Sequence, residues 1–190
     1  MSSHRGSKAE ATRVLILDAA AKLFFQFGVN EVSISRIMAE IGLTTGGFYK
    51  YFSSKEMLAA EVCYRTFREA QTSWEEQAAR ARQASENPYR GLVNQYLSFS
   101  EKSQCAVVAF SHDAADASHH QLFSQSYREG TKALLDTLLG VAQEPGSGSS
   151  TREQVLVHFA AMLGAGLLCR TTGAEQWVQE IQTALLDQLG

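Results

Sequence analysis

Residues 32–52 read VSISRIMAEIGLTTGGFYKYF, and this stretch decides the fold. Ile34, Ile37, Met38 and Ile41 recur at helical spacing and mark one apolar face. Ser33 stands just before that run, where a hydroxyl accepts a hydrogen bond from a free backbone amide and starts a helix. Gly42 ends the run and tolerates the backbone of a tight turn. A second short helix is predicted over 44–52, capped by Thr44, with Phe48 and Phe52 turned to the core. Two short helices joined by a glycine turn form a helix-turn-helix.

Upstream, Leu17, Ala20, Ala21, Phe24 and Phe27 line one side of a helix from about Ala11, and Gly28 stops it. The ten residues before it are polar, lack the apolar run of a signal peptide, and read as a basic tail outside any element. Downstream, Ser53-Ser-Lys-Glu56 reads as a capping box that opens a long helix from Ser54 towards Arg82. Asn87-Pro88 opens another, reaching about Glu101, and Gln104 to Ala117 reads as a shorter, less regular segment. Ser118-His-His-Gln121 is a further box, Pro145 to Ser150 a linker, and Thr151-Arg-Glu-Gln154 the cap of an apolar helix to about Arg170. Gly173 breaks that helix, and a last one runs from about Ala174 to Leu189. With only two prolines in 190 residues and no convincing strand, the expectation is an all-α chain of about nine helices. A three-helix head occupies residues 1–53, and a helical ligand-binding and dimerisation domain occupies 54–190.

The net charge of −3 argues against nucleic acid until its distribution is examined. The first 60 residues hold seven basic against five acidic side chains, leaving ten against fifteen for the rest. Cys63, Cys105 and Cys169 are too far apart for a zinc motif and too few for a disulfide framework, which points to the reducing cytoplasm. His112, His119 and His120, with Asp113 and Asp116, lack the spacing of a metal site, so neither metal nor cofactor is expected. The longest uncharged run, Gln154 to Cys169, is shorter than the roughly 20 residues a membrane helix needs, so no membrane partner is expected. No phosphate loop, Ser-His-Asp order or paired carboxylates indicate an enzyme.

Leu17-x-x-Ala20-Ala21-x-x-Phe24, Ile37-x-x-x-Ile41-Gly42 and Gly46-x-Phe48-Tyr49-x-Tyr51-Phe52-x-x-Lys55-Glu56-x-Leu58 together resemble the DNA-binding head of the TetR family. The resemblance implies a cytoplasmic homodimer that represses transcription from a palindromic operator. It also implies that a small molecule in the C-terminal domain moves the two heads apart and releases the DNA. A recognition helix enters the major groove by its N-terminal end, which puts Thr44, Thr45, Gly46 and Gly47 nearest the base edges. Tyr49, Lys50, Tyr51 and Lys55 suit phosphate, fixing register without reading sequence. Ser33, Ser35 and Arg36, at the positive end of the preceding helix, are further candidates. The chain departs from the commoner family pattern at Thr45, Gly47 and Tyr51, where lysine, a hydroxyl residue and histidine are frequent.

For the effector, Tyr64, Phe67, Trp74, Tyr96 and Phe99 are expected around a cavity between helices. Cys105, Phe110, His112 and Tyr127 are expected with them, the plain alternative being an aromatic core. A largely apolar lining favours an apolar or aromatic molecule. Cys105, at the start of a helix and close to Lys102, also permits a thiol sensor of oxidants or electrophiles on the same fold. An enzyme or a small-molecule binder built on the helical body is the remaining alternative. Ala161, Ala165 and Leu168, with Met162 and Gly166 beside them, make a face of small residues. Trp177, Ile181 and Leu185 of the last helix extend it. Such a face is covered by the chain's own core or by a second copy, and the family resemblance favours a two-fold four-helix interface.

Overall fold

A computed structural model of the chain describes residues 3–98, 105–115 and 121–189. Eight α-helices and one 3₁₀ helix, with no strand, make up the described residues. The α-helices are α1 (Ser3–Phe27), α2 (Ile34–Glu40), α3 (Lys55–Gln83), α4 (Pro88–Ser98), α5 (Ala106–Ala115), α6 (Gln121–Ala142), α7 (Arg152–Thr172) and α8 (Gln176–Asp187). The 3₁₀ helix is Thr45–Lys50. The all-α expectation holds, and so does the count of nine.

Packing divides the chain into two compact units, residues 1–66 with 109–130 and residues 67–108 with 131–190. The head is therefore not packed by residues 1–53 alone. Phe110 of α5, fully buried, lies tilted against Phe25 of α1 at 4.7 Å between ring centres and meets Phe123 of α6 edge-on at 5.7 Å. Together with Ile16, Leu17, Ala20 and Phe24 of α1 these rings are part of one core.

Local chemistry sets the short elements of this unit. Ser33 has extended backbone and accepts from the Arg36 amide at 3.2 Å, as the N-cap of α2. At the far end Gly42 adopts φ +68°, and the Leu43 amide reaches back to the Met38 carbonyl at 2.9 Å. The Gly42 amide bonds to Ala39 at 3.1 Å, which completes a Schellman closure. The second helix of the pair is a 3₁₀ turn rather than an α-helix. Two threonines and two glycines in succession have poor helix propensity, and the Gly47 amide bonds to the Thr44 carbonyl at 3.0 Å in the tighter pattern. The Thr44 side chain does not cap it.

Three further details differ from expectation. Helix α1 begins at Ser3, so the polar tail is helical rather than outside any element. Ser54, not Ser53, starts α3, its hydroxyl accepting from the Met57 amide at 3.1 Å. Glu56 then accepts from the Leu122 amide at 2.9 Å instead of closing a box. Asn87 caps α4 through the Arg90 amide at 2.9 Å. The Thr151–Gln154 box on α7 is formed in both directions, at 2.7 and 3.3 Å. The box at Ser118 lies outside the described residues.

In the second unit α7 packs on α4 and α8. Its buried residues, Val155, His158, Phe159, Met162, Ala165, Gly166 and Cys169, fall at the spacing of one helical face. Helix α7 is long and apolar enough to cross a membrane by length and composition alone; here that face is covered by other helices of the chain.

Candidate nucleic-acid interface

The 3₁₀ helix is held from beneath and bare on top. Phe48 is fully buried and stacks on Phe52 at 5.7 Å, while Met38 of α2 lies under Gly47. Phe48 and Phe52 are thus anchors of the core, as their spacing predicts. Thr44, Thr45, Gly46, Tyr49 and Lys50 face outward, Tyr49 with 63% of its surface exposed. Gly47 and Tyr51 are half-buried. A Cβ at Gly46 would meet nothing within 4 Å, and one at Gly47 only the Met38 methyl at 3.7 Å. Packing therefore demands neither glycine, and their effect is to strip side chains from the outer edge of this element.

The residues expected beside it are placed unequally. Ser33 and Ser35 are exposed and share a hydrogen bond at 2.8 Å, so Ser33 serves as cap and surface hydroxyl at once. Arg36 is exposed and lies over the Phe27 ring at 3.8 Å, a cation–π contact that fixes the direction of the guanidinium. Lys55 is less free. Its Nζ donates to the Asn30 carbonyl at 3.2 Å, and burial pushes its ammonium below the usual lysine range, opposed by the carboxylates of Asp113 and Glu31.

Asp113 is the residue that sequence reasoning missed here. Only 3% exposed, it accepts from the amides of Val29 and Asn30 at 3.0 and 3.1 Å, the first free donors after α1. Gly28, at φ +84°, lets the chain turn under it, and a Cβ there would lie 3.4 Å from the carboxylate. In the sequence Asp113 stands out only as a potential metal ligand beside His112. Eighty-four positions separate it from its partner, and no local pattern marks such a contact. Arg13 likewise serves packing. It pairs through both guanidinium nitrogens with Glu61 and lies over Phe52 at 4.8 Å, tying α1 to α3.

Elsewhere, three of the nine residues expected around an effector cavity line one. Trp74, Tyr96 and Cys105 border a cavity of about 320 Å³ together with Ala70, Gln77, Leu92, Gln95 and Leu134. Phe67 and Phe110 are buried in packing, Tyr64 and His112 are exposed, and Tyr127 is half-buried. Phe99 lies outside the described residues. Gln95 carries a signal in the sequence: with Leu92 and Tyr96 it forms an i, i+3, i+4 set, an amide on an apolar face.

Of the residues expected at a dimer interface, Met162, Ala165, Gly166 and Leu185 are buried within the chain itself. Gly166 makes room for a phenol: a Cβ there would lie 2.8 Å from the Tyr96 oxygen. The small residues of α7 thus admit α4. Ala161, Leu168 and Ile181 are half-buried and Trp177 is 44% exposed. The large apolar side chains that α7 and α8 leave exposed are Leu156, Val157, Leu167 and Trp177.

Residues 16–62 match the sequence profile described as bacterial regulatory proteins, tetR family. Over 55 residues the chain is 40% identical to the HTH-type transcriptional regulator AcrR of Shigella flexneri, covering 29% of this chain and 26% of that protein. The chain thus aligns with about a quarter of that relative's length. Across nearly its whole length it superposes on solved structures. Reduced NemR of Escherichia coli matches with a TM-score of 0.78 at 20% identity, over 94% of this chain and 97% of that one. A TetR-family transcriptional regulator from Agrobacterium tumefaciens matches with 0.79 at 18%, over 95% and 98%. Identities this low establish the fold; the head carries the relationship in sequence. Residues 16–62 thus carry the sequence pattern of the tetR-family DNA-binding head, and the chain has the fold seen in the solved TetR-family regulator.

Proposed function

We propose that the chain is a ligand-responsive transcriptional repressor of the cytoplasm, which grips a palindromic operator as a homodimer and leaves it when a small molecule occupies its helical body. The observation that carries this reading is the 3₁₀ helix, seated on buried Phe48 and Phe52 and presenting Thr44, Thr45, Tyr49 and Lys50 outward. In the major groove the threonine methyls and hydroxyls meet base edges, and Gly46 and Gly47 admit close approach of the backbone. Tyr49, Lys50 and Tyr51 hold phosphates, with Ser33, Ser35 and Arg36 at the flank. Lys55 serves chiefly to brace the loop at Asn30, with phosphate contact secondary.

In this reading residues 1–53 read DNA, and 54–190 bind effector and partner. The exposed apolar residues of α7 and α8, Val157, Leu167 and Trp177, form the centre of the dimer contact, with Ala161, Leu168 and Ile181 at its margin. Two recognition elements must stand roughly 34 Å apart to meet successive major grooves. A ligand that favours another spacing weakens DNA binding by the factor by which DNA weakens ligand binding. The test is selection of bound duplexes from a random library by the purified full chain. An enriched palindrome, lost from Tyr49→Phe in proportion for all its variants, supports the reading; enrichment of no sequence overturns it.

A further inference from the structure

The cavity of the second unit has a definite chemical character. Its walls come from one face of α3 (Ala70, Ser73, Trp74, Gln77), from α4 (Leu92, Gln95, Tyr96) and from Cys105, Ala106 and Leu134. Trp74 and Tyr96 meet at right angles with ring centres 6.1 Å apart, so one presents an edge where the other presents a face. No charged side chain borders the space among the described residues. The Tyr96 hydroxyl is already engaged, donating to Cys105 Sγ at 3.3 Å, and burial and the adjacent thiol keep the phenol protonated. The Gln95 carbonyl oxygen differs from its neighbours. It is buried and finds no donor among the described residues, although a buried amide oxygen without a partner is costly and rare.

We propose that this cavity takes a neutral, planar aromatic molecule carrying one hydrogen-bond donor, which completes the unpaired Gln95 oxygen. A charged guest is disfavoured because the described lining offers a carboxylate or ammonium no counter-ion. Size follows from volume: about 320 Å³ is the share of roughly ten waters at about 30 Å³ each, the room for a bicyclic molecule. Rings at right angles accept a flat guest by its face against one and its edge against the other. Selectivity lies in the amide, since a site built to receive a donor rejects the isostere that lacks it far more strongly than a greasy pocket rejects a methylene.

This inference deepens the proposed function by naming the class of effector, and it is tested apart from DNA. Calorimetry of the full chain uses three probes: indole, with one N–H donor; benzofuran, with an acceptor in the same place; and indole-2-carboxylate, with a charge. Indole binding at least tenfold tighter than benzofuran, with no binding of the carboxylate, is the expected result. In Gln95→Leu the preference of indole over benzofuran falls to within about twofold, the benzofuran affinity being retained. Equal binding of indole and benzofuran by the wild-type chain, tighter binding of benzofuran or of the carboxylate, or binding of none of the three overturns the proposal. Indole that binds with the stated preference but leaves operator affinity unchanged supports the ligand class and overturns the effector reading alone.

Discussion

Asp113 shows how much one side chain decides. Its carboxylate closes the end of α1 by taking the Val29 and Asn30 amides, a task usually left to a neighbouring residue or to water. Replacement by alanine orphans two donors, the Val29 amide in a buried contact, at a cost of about 1–3 kcal/mol each. Asp113→Ala should therefore unfold at lower denaturant and lose operator affinity, with Asp113→Asn intermediate because it keeps one acceptor. Denaturant titration followed by a gel shift checks both, and an alanine variant as stable as the parent would refute the role. The cysteines are separated in the same way, by surroundings. Burial pushes the Cys63 thiol up to about 12, and Cys169 is 4% exposed, whereas Cys105 borders the cavity half-buried. A maleimide at neutral pH should label Cys105 first and the other two only on unfolding. Peptide mass mapping reads the order, and equal labelling of all three would remove the basis for a thiol sensor.

At the scale of elements, the pairing of α4 with α7 is the contact with most consequence. Tyr89 and His158 share a hydrogen bond at 2.8 Å within a buried interface, and Tyr96 fits over Gly166 about two helical turns further along the same face. Burial pulls the His158 imidazolium below its ordinary value of 6.5, partly offset by a hydrogen bond with Gln188. The unfolded chain then takes up the proton first as pH falls. Stability from this group is full above 6.5 and is lost as pH drops through the lower folded-state value. The melting temperature of the wild-type chain should decline between about pH 7 and about pH 5 more steeply than that of His158→Gln. Parallel curves would show that His158 titrates as freely in the fold as out of it. The 3₁₀ helix teaches a related lesson. Its outward residues were apparent from spacing, but its tight winding follows from Thr-Thr-Gly-Gly, whose weak helical preference outweighed the apolar pattern around it.

For the whole molecule, the arrangement of covered and uncovered faces sets what the chain does with a second copy. Val157, Leu167 and Trp177 stand 62%, 47% and 44% exposed on two helices that pack together, and they are the side chains the proposed dimer contact uses. Trp177→Glu should shift the chain to monomer in sedimentation and weaken operator binding at least tenfold, since half-sites then bind singly. A dimer that survives Trp177→Glu together with Val157→Glu would place the interface elsewhere. The two compact units also redraw the linear division at residue 53. Helices α3, α5 and α6 each lend residues to both units, so the part that carries the DNA-reading element does not end where its sequence motif ends.

Much of this was legible from the order of residues because it depends on neighbours a few positions apart. Helical periodicity, the caps at Ser33, Asn87 and Thr151, the turn at Gly42 and the anchors Phe48 and Phe52 are all local, and the family motif is a compound of them. What the chain alone left open involved partners far away in sequence. Asp113 reaches back 84 positions, Gly166 of α7 makes room for Tyr96 of α4, and the buried Gln95 oxygen finds no donor among the described residues. Periodicity says that a face must be covered, and it is silent about what covers it. Only the tertiary structure decides that, since the partner of a buried group is chosen by which distant surfaces the fold brings within a few ångströms.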